Sequence, residues 1–343
     1  MNAGWEALQV AVAQAREEIA AHATDADMLA QGDAYVMRVV SASLADAFLG
    51  HLLNNDGLSR ALPSRGGPNP HYLMDSARID PARRYALTGR LNASERVGIG
   101  LYALDANSSL LEVGYSTFDR TNTGEDGEFR LDMAAHASGP STLAIPPACR
   151  LILVRTLHRA DGQPAAQLRL EGGDAASGLA LATGSADGAL ARVAQGTIAS
   201  VREYLRWTRA VASKPNCLDI APPELAATVQ GDRDTQYYLG YFDLRPGEWL
   251  EVSMPSGLPG YWSLHAYNHW FESLQIEGAH DRNTICDADG LIQVRVGPDI
   301  PSKLPNRMET TGLSCGALIC RIIGNHDGEV PCARVMTSSD IPR

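Results

Sequence analysis

The sequence predicts an α+β chain, mainly β, built as two tandem copies of one helix-plus-β unit. Three observations predict it. Short runs of alternating apolar and polar residues, bounded by turn residues, recur from Tyr72 onward and again from Thr235 onward. Apolar residues at helical spacing precede each set of runs. The two sets then match in order: Tyr72-Leu73 with Tyr238-Leu239, Arg84 to Leu87 with Trp249 to Val252, and Gly98 to Tyr102 with Trp262 to Tyr267. Asp126 to Arg130 matches Asp289 to Gln293, and Leu151 to Arg155 matches Ala317 to Arg321. Asp161-Gly162 and Asp327-Gly328 follow the last pair. Five matches in order mark an internal duplication, with a period far too long for a solenoid.

The helices come first. Trp5, Leu8, Val12, Ala15 and Ile19 form a stripe that predicts a helix over 3–21, and Val36, Val39, Val40, Leu44, Ala47, Phe48 and Leu52 predict one over 33–53. Leu190, Val193, Thr197, Val201, Leu205 and Trp207 outline a central helix over 186–212, stopped by Pro215. Pro222-Pro223 opens a short helix to about Val229. The strands of the first copy are read at 72–79, 85–91, 97–104, 110–115, 129–133, 151–157 and 166–170, with Asp126-Gly127 as a hairpin turn. The resulting segments are a helical 1–59, a β-domain over 60–173, a helical 174–230 and a second β-domain over 231–343.

Composition narrows the function. The chain has 343 residues, 45% hydrophobic and 20% charged, which fits about two globular domains. A net charge of -11 without a basic run argues against nucleic acid. The first residues are polar and amphipathic and do not read as a signal peptide, and no apolar run is long enough to span a membrane. The six cysteines, Cys149, Cys217, Cys286, Cys315, Cys320 and Cys332, match no metal-knuckle spacing. Taken with the absence of an export signal they read as reduced thiols in the cytoplasm, although the even count leaves disulfides open.

The most aromatic ten residues are Tyr261 to Trp270. Read as a strand, Trp262, Leu264, Ala266, Asn268 and Trp270 share one face, while Tyr261, Ser263, His265, Tyr267 and His269 share the other. The second face offers hydrogen-bonding groups at every position and suits one wall of a ligand pocket. The plainer alternative is a half-solvated sheet face. His265 and His269 would lie roughly 13 Å apart on a straight strand, too far for one metal, so no metal site is assigned. Either histidine suits a general acid or base, because its pKa lies near neutrality. No strand-to-helix nucleophile elbow is assigned, and there is no nucleotide-binding glycine loop. Cys286 and Cys315 are candidate nucleophiles, but no neighbouring pattern singles them out. Arg155 and Arg321 end matched strands, where each would anchor an anion or form a structural ion pair.

These motifs resemble the DUF1214 and DUF1254 families of uncharacterised bacterial proteins. The resemblance rests on Tyr261-Trp262 to Tyr267-Asn268, then Arg282-Asn283, the turn Asp287 to Gly290, the run Pro305-Asn306-Arg307-Met308-Glu309-Thr310, and the strand ending in Arg321. Asn69-Pro70 and Tyr72 carry it in the first half. It implies two jelly-roll-like antiparallel β-sandwiches with packed helical segments. Three departures stand out: Glu309 replaces an aspartate, Arg307 replaces a tryptophan, and Gly297-Pro298-Asp299 stands where many relatives have His-Arg-Asp.

Only the second copy carries the aromatic-histidine strand, so the site is expected there. The expected activity is cofactor-free acid–base chemistry, of lyase, isomerase or hydrolase type, on a small apolar or aromatic molecule. His265, His269 and Tyr267 would be catalytic. Tyr261, Trp262, Asn268, Trp270, Arg282, Asn283, Asn306 and Arg321 would bind substrate, although the asparagines also suit loop-holding. Two alternatives stay open: a binding protein for a carbohydrate or hydrophobic ligand, and a subunit whose aromatic face is a homo-oligomer interface.

Overall fold

The computed structural model describes residues 3–49, 54–60, 66–104, 110–172, 186–222, 232–258, 260–324 and 331–341. The chain divides into two compact units, one of residues 1–22, 36–64 and 69–201, the other of residues 23–35, 65–68 and 202–343. Each unit therefore draws on chain from both sides of the linear boundaries read from the sequence.

Helix α1 (Ala3–Ala20) buries Leu8, Ala11, Ala15 and Ile19. Trp5 falls off that stripe and is 53% exposed. Helix α2 (Ala26–Leu44) starts earlier than its apolar stripe, because the Asp25 carboxylate accepts the Met28 N–H at 2.8 Å and caps it. A π-helical turn, Ala45–Leu49, follows. Helix α3 (Ala186–Ala212) has the predicted ends. In the first unit Leu190, Val193 and Ala194 of α3 pack with Leu8 and Ala11 of α1. In the second, Trp207 and Val211 face a sheet. The short helix expected after Pro222 lies outside the described residues.

The first unit holds β1 (Asn54–Asn55), β2 (Leu58–Arg60), β3 (Tyr72–Arg78), β4 (Tyr85–Arg90) and β5 (Arg96–Leu104). It continues with β6 (Leu110–Asp119), β7 (Glu128–Ala134), β8 (Thr142–Ala144), β9 (Cys149–Leu157) and β10 (Gln167–Gly172). These form sheets of order β1-β2-β3-β9-β5-β6 and β10-β4-β7-β8. Val97, Ile99 and Val154 of one sheet meet Leu87, Leu131 and Leu170 of the other, as a sandwich requires.

The second unit holds β11 (Cys217–Ile220), β12 (Thr235–Asp243), β13 (Glu248–Pro255), β14 (Trp262–Tyr267) and β15 (Ala279–His280). It ends with β16 (Leu291–Gly297), β17 (Arg307–Glu309), β18 (Cys315–Ile323) and β19 (Cys332–Thr337). Their order is β11-β12-β18-β14-β15 and β17-β16-β13-β19. The two units share one topology, since β2, β3, β9, β5 and β6 correspond to β11, β12, β18, β14 and β15. Likewise β10, β4, β7 and β8 correspond to β19, β13, β16 and β17. Even the parallel pair is repeated, β7 with β8 and β16 with β17, in sheets otherwise antiparallel.

Strand register tests the sequence matches. Leu87 opposes Leu131 and Leu170, as Val252 opposes Val294 and Ala333. Gly98 opposes Arg155, as Ser263 opposes Arg321, which also aligns Tyr102 with Tyr267. The match of Tyr72 with Tyr238 is out of register. Tyr72 lies on β3 two residues before Met74, the partner of Arg155, and the partner of Arg321 is Tyr237, so Tyr72 corresponds to Thr235. The turns at Asp126-Gly127 and Asp289-Gly290 are equivalent, each with a glycine at positive φ. Asp327-Gly328 lies outside the described residues.

Candidate functional site

Strand β14 divides its side chains as the alternation predicts, up to Tyr267. Trp262, Leu264 and Ala266 enter the sandwich core with Leu318, Cys320 and Ile322. The opposite face is not half-solvated. There Tyr267 packs with Leu239, Tyr241, Ala317 and Ile319 beneath Trp207 and Val211 of α3.

The strand ends at Tyr267, and the alternation fails beyond it. The Asn268 carboxamide oxygen accepts the N–H groups of Trp270 and Glu272 at 2.9 and 3.0 Å, which folds Asn268 to Glu272 into a turn. Phe271 adopts positive φ within it. His269 therefore does not sit four strand residues from His265 along one face, and the straight-strand spacing does not describe the pair. Removing the carboxamide in Asn268→Ala leaves two N–H groups without their acceptor and is expected to cost about 1–3 kcal/mol. A urea titration checks this, and the His269 ring resonances should move with it.

Two polar clusters lie on the helix-covered face. The first is built on Arg321, which is 8% exposed. Its Nη1 donates to Tyr267 Oη at 3.1 Å and its Nη2 to Gly67 O. Tyr267 Oη also lies 2.9 Å from Pro68 O, and Gly67 N–H donates to Phe271 O at 2.8 Å. Gly67 has φ +66°, and an added Cβ would run into Ile319. Burial raises the Tyr267 pKa, with Arg321 opposing, so the phenol stays protonated at neutral pH. The ring of Tyr237 lies 5.9 Å from the guanidinium carbon. Among the described residues Arg321 has neutral oxygens as partners rather than the carboxylate of an ion pair. Its counterpart Arg155 lies 5.6 Å from the ring of Tyr102, so both copies set this arginine against the matched tyrosine.

The second cluster lies at the other end of the face. Tyr241 Oη is 2.7 Å from His269 Nδ1, and the Cys315 thiol is close enough to Tyr241 to shift its titration. Tyr241 and Cys315 are diagonal neighbours on β12 and β18, on one face of the sheet. Burial pushes the Tyr241 hydroxyl far above the ordinary tyrosine range, and Cys315 adds to the shift. Burial also raises the Cys315 thiol, opposed by Tyr241. The His269 ring is half-buried, lies edge-on to Trp270 at 4.7 Å, and its carbonyl is 2.9 Å from the Thr208 hydroxyl. Trp270 stacks on Tyr35 at 6.1 Å.

Cys315 and Arg321 are six residues apart on β18, roughly 20 Å, so the expected site residues do not converge on one point. Tyr261 belongs to the Arg321 end, where it acts on the guanidinium. His265 is buried between the ends, against Gly278. Trp262 is in the sandwich core on the opposite face. Arg282 is exposed. Asn283 accepts the His280 N–H and donates to Gly278 O, and Asn306 bonds both N–H and C=O of Ile285, so both hold loops. The sequence patterns do not single out Tyr241, and they name Cys315 without a partner. The alternation of Tyr237, Leu239 and Tyr241 places that tyrosine on the same face and was the available signal.

The chain matches no family model and no curated protein. It is similar to the crystal structure of an uncharacterised protein from Burkholderia cenocepacia, with a TM-score of 0.85 and 22% identity over 98% of each chain. A Vibrio parahaemolyticus protein matches at a TM-score of 0.47 and 12% identity, covering 89% of this chain and 98% of its own, too low a likeness to carry an argument. What the Burkholderia structure shares with this chain is the fold.

Proposed function

We propose that this chain is a cofactor-free acid–base enzyme, of lyase, isomerase or hydrolase type, acting on a small apolar or aromatic molecule at the His269 end of the second unit. The carrying observation is the 2.7 Å contact between Tyr241 Oη and the half-buried His269 ring, with Cys315 behind Tyr241. Tyr241 and Cys315 hold their protons at neutral pH, so they set the imidazole tautomer by hydrogen bonding and not by giving up a proton. With the Tyr241 hydroxyl donated to Nδ1, the imidazole is the neutral Nε2–H tautomer and offers a hydrogen bond; the acid is the imidazolium formed once Nε2, as the base, has taken a proton from the substrate. With the hydroxyl turned to Cys315, it accepts from Nδ1–H and leaves Nε2 as a base. Trp270, buried and stacked on Tyr35, fixes the other side of the ring. Tyr267 and Arg321 become positioning residues that hold the 66–68 segment.

Family and compartment belong to the same proposal. Membership of the DUF1214-like group is supported by the Asp287 to Gly290 turn, where Asp287 accepts the N–H groups of Asp289 and Leu291. A cytoplasmic setting is supported by six free thiols. Among the described residues no helix is long and apolar enough to cross a membrane.

The test has two parts. Imidazole ¹⁵N shifts should show one dominant His269 tautomer, which Tyr241→Phe converts to a mixture. A melting screen of small aromatic acids, steroids and terpenoids then supplies a substrate candidate, since a ligand at 100 times its Kd stabilises by about 2.7 kcal/mol. His269→Gln should abolish turnover of that molecule without changing the melt. Full turnover in His269→Gln would sink the assignment.

A further inference from the structure

The first unit carries an open groove of about 1040 Å³ on the sheet of β10, β4 and β7. Four arginines line it, Arg60, Arg90, Arg130 and Arg169, in a chain of net charge -11. Two of them stand in one row across three strands. Arg169 of β10 opposes Thr88 of β4, and Thr88 opposes Arg130 of β7. The two arginine backbones are therefore about 10 Å apart, with a hydroxyl between them.

The second unit shows what such a row looks like when complete. Glu251 of β13 opposes Arg334 of β19 and Arg295 of β16. Its carboxylate oxygens bond one arginine each, at 3.0 and 3.1 Å. By the matched register, Glu251 corresponds to Ala86, flanked by Glu171 and Asp132. The signs are thus reversed in the first unit, and the arginines have moved one row along, to either side of Thr88. Asp132 and Glu171 then brace them: Arg130 gives Nε and Nη2 to Asp132, and Arg169 Nε lies 3.2 Å from Glu171. One amino group of Arg130 and both of Arg169 lie outside these pairs. Thr88 Oγ1 donates only a long 3.5 Å bond to Arg169 O.

We infer that this groove binds a small oxyanionic molecule, a carboxylate or phosphate seated between Arg130 and Arg169 over Thr88. It takes the place that the Glu251 carboxylate occupies between its two arginines in the second unit. Guanidinium groups braced by carboxylates are pre-set for bidentate contact with such a group. Arg60 and Arg90 are paired as well, with Asp75 and Glu128, but neither stands across Thr88 from a second arginine; Arg130 and Arg169 do, which makes their row the anion position.

Inorganic phosphate and succinate are the probes, titrated into the full chain at constant ionic strength against chloride and followed by arginine side-chain NMR. Saturable shifts of Arg130 and Arg169 are expected with one or both. A stronger response to phosphate names a phosphate ligand, and one to succinate a carboxylate. The double variant Arg130→Gln with Arg169→Gln should weaken binding at least tenfold, and Arg90→Gln should leave it within about threefold. Thr88→Glu places a carboxylate in the row as in the second unit, so it should abolish the response while raising the melting temperature. It also decides the matter if the double variant does not fold. Equal shifts with chloride, unweakened binding in the double variant, or unweakened binding in Thr88→Glu would each overturn the inference.

Discussion

Arg321→Ala is expected to destabilise the second unit by about 3–5 kcal/mol and to free the amide of Gly67 to exchange. The side chain is buried, and its two amino groups hold Tyr267 Oη and Gly67 O. A hydrogen bond from a charged donor contributes about 1.5–3 kcal/mol, and truncation to alanine adds a cavity. Arg321→Met should cost less. It fills the space, and it removes a buried cation whose desolvation already opposes folding. Tyr267→Phe should fall between, at about 1–3 kcal/mol, because it strips one acceptor from Arg321 and one donor from Pro68 O. Urea midpoints order the three variants. Hydrogen exchange at Gly67, whose N–H is bonded to Phe271 O, reports the clamp itself. An Arg321→Ala protein with an unchanged midpoint and a protected Gly67 would show that the cluster holds nothing. The His269 tautomer should be unmoved in all three, since the two clusters are roughly 20 Å apart on β18.

The parts of this arrangement that were legible in the sequence are those fixed by local periodicity. Helix α3 ends where Leu190 to Trp207 stop repeating, and Trp262, Leu264 and Ala266 face the core because strand neighbours alternate. The duplication was legible where matched residues occupy matched cores, as Leu87 and Val252 do. It fails at Tyr72, where aromatic identity with Tyr238 does not coincide with register. The strand stops short of His269 because Asn268, which alternation alone places on the core face with Ala266, captures two N–H groups and turns the chain. What covers the face was not legible at all. The 66–68 segment reaches Tyr267 from about two hundred positions away in the sequence, and no local pattern encodes such a contact. Tyr241 meets Cys315 only because β12 pairs with β18. The groove arginines looked like an ordinary solvated strand face until the register set them on either side of Thr88.

Stability should fall steeply above pH 9, and buried protons set the sign. Burial pushes the Cys320 thiol from its ordinary 9.0 up to about 12, with Arg321 opposing. Burial likewise raises Tyr238, Tyr241 and Tyr267 above the ordinary 10.0. In each case the folded chain keeps a proton that the unfolded chain has already lost. The contribution of these groups is whole below pH 9 and drains away as the pH climbs toward the folded values. For Cys320 alone, about 1.4 kcal/mol per pH unit from 9 to 12 amounts to about 4 kcal/mol. Urea unfolding at a series of pH values between 8 and 11.5 measures the limb. Cys320→Ala should lower stability at pH 8, where it loses core packing, yet flatten the fall above pH 9, so that the two curves converge. Tyr241→Phe should flatten it as well, and the part of the tyrosinate absorbance that Tyr241→Phe removes should appear only as the chain unfolds. A stability that stays level to pH 11 would mean that water reaches these groups. Tyr241 would then lose the buried, protonated character by which it sets the His269 tautomer, so the alkaline limb bears on the proposed chemistry as directly as on the fold.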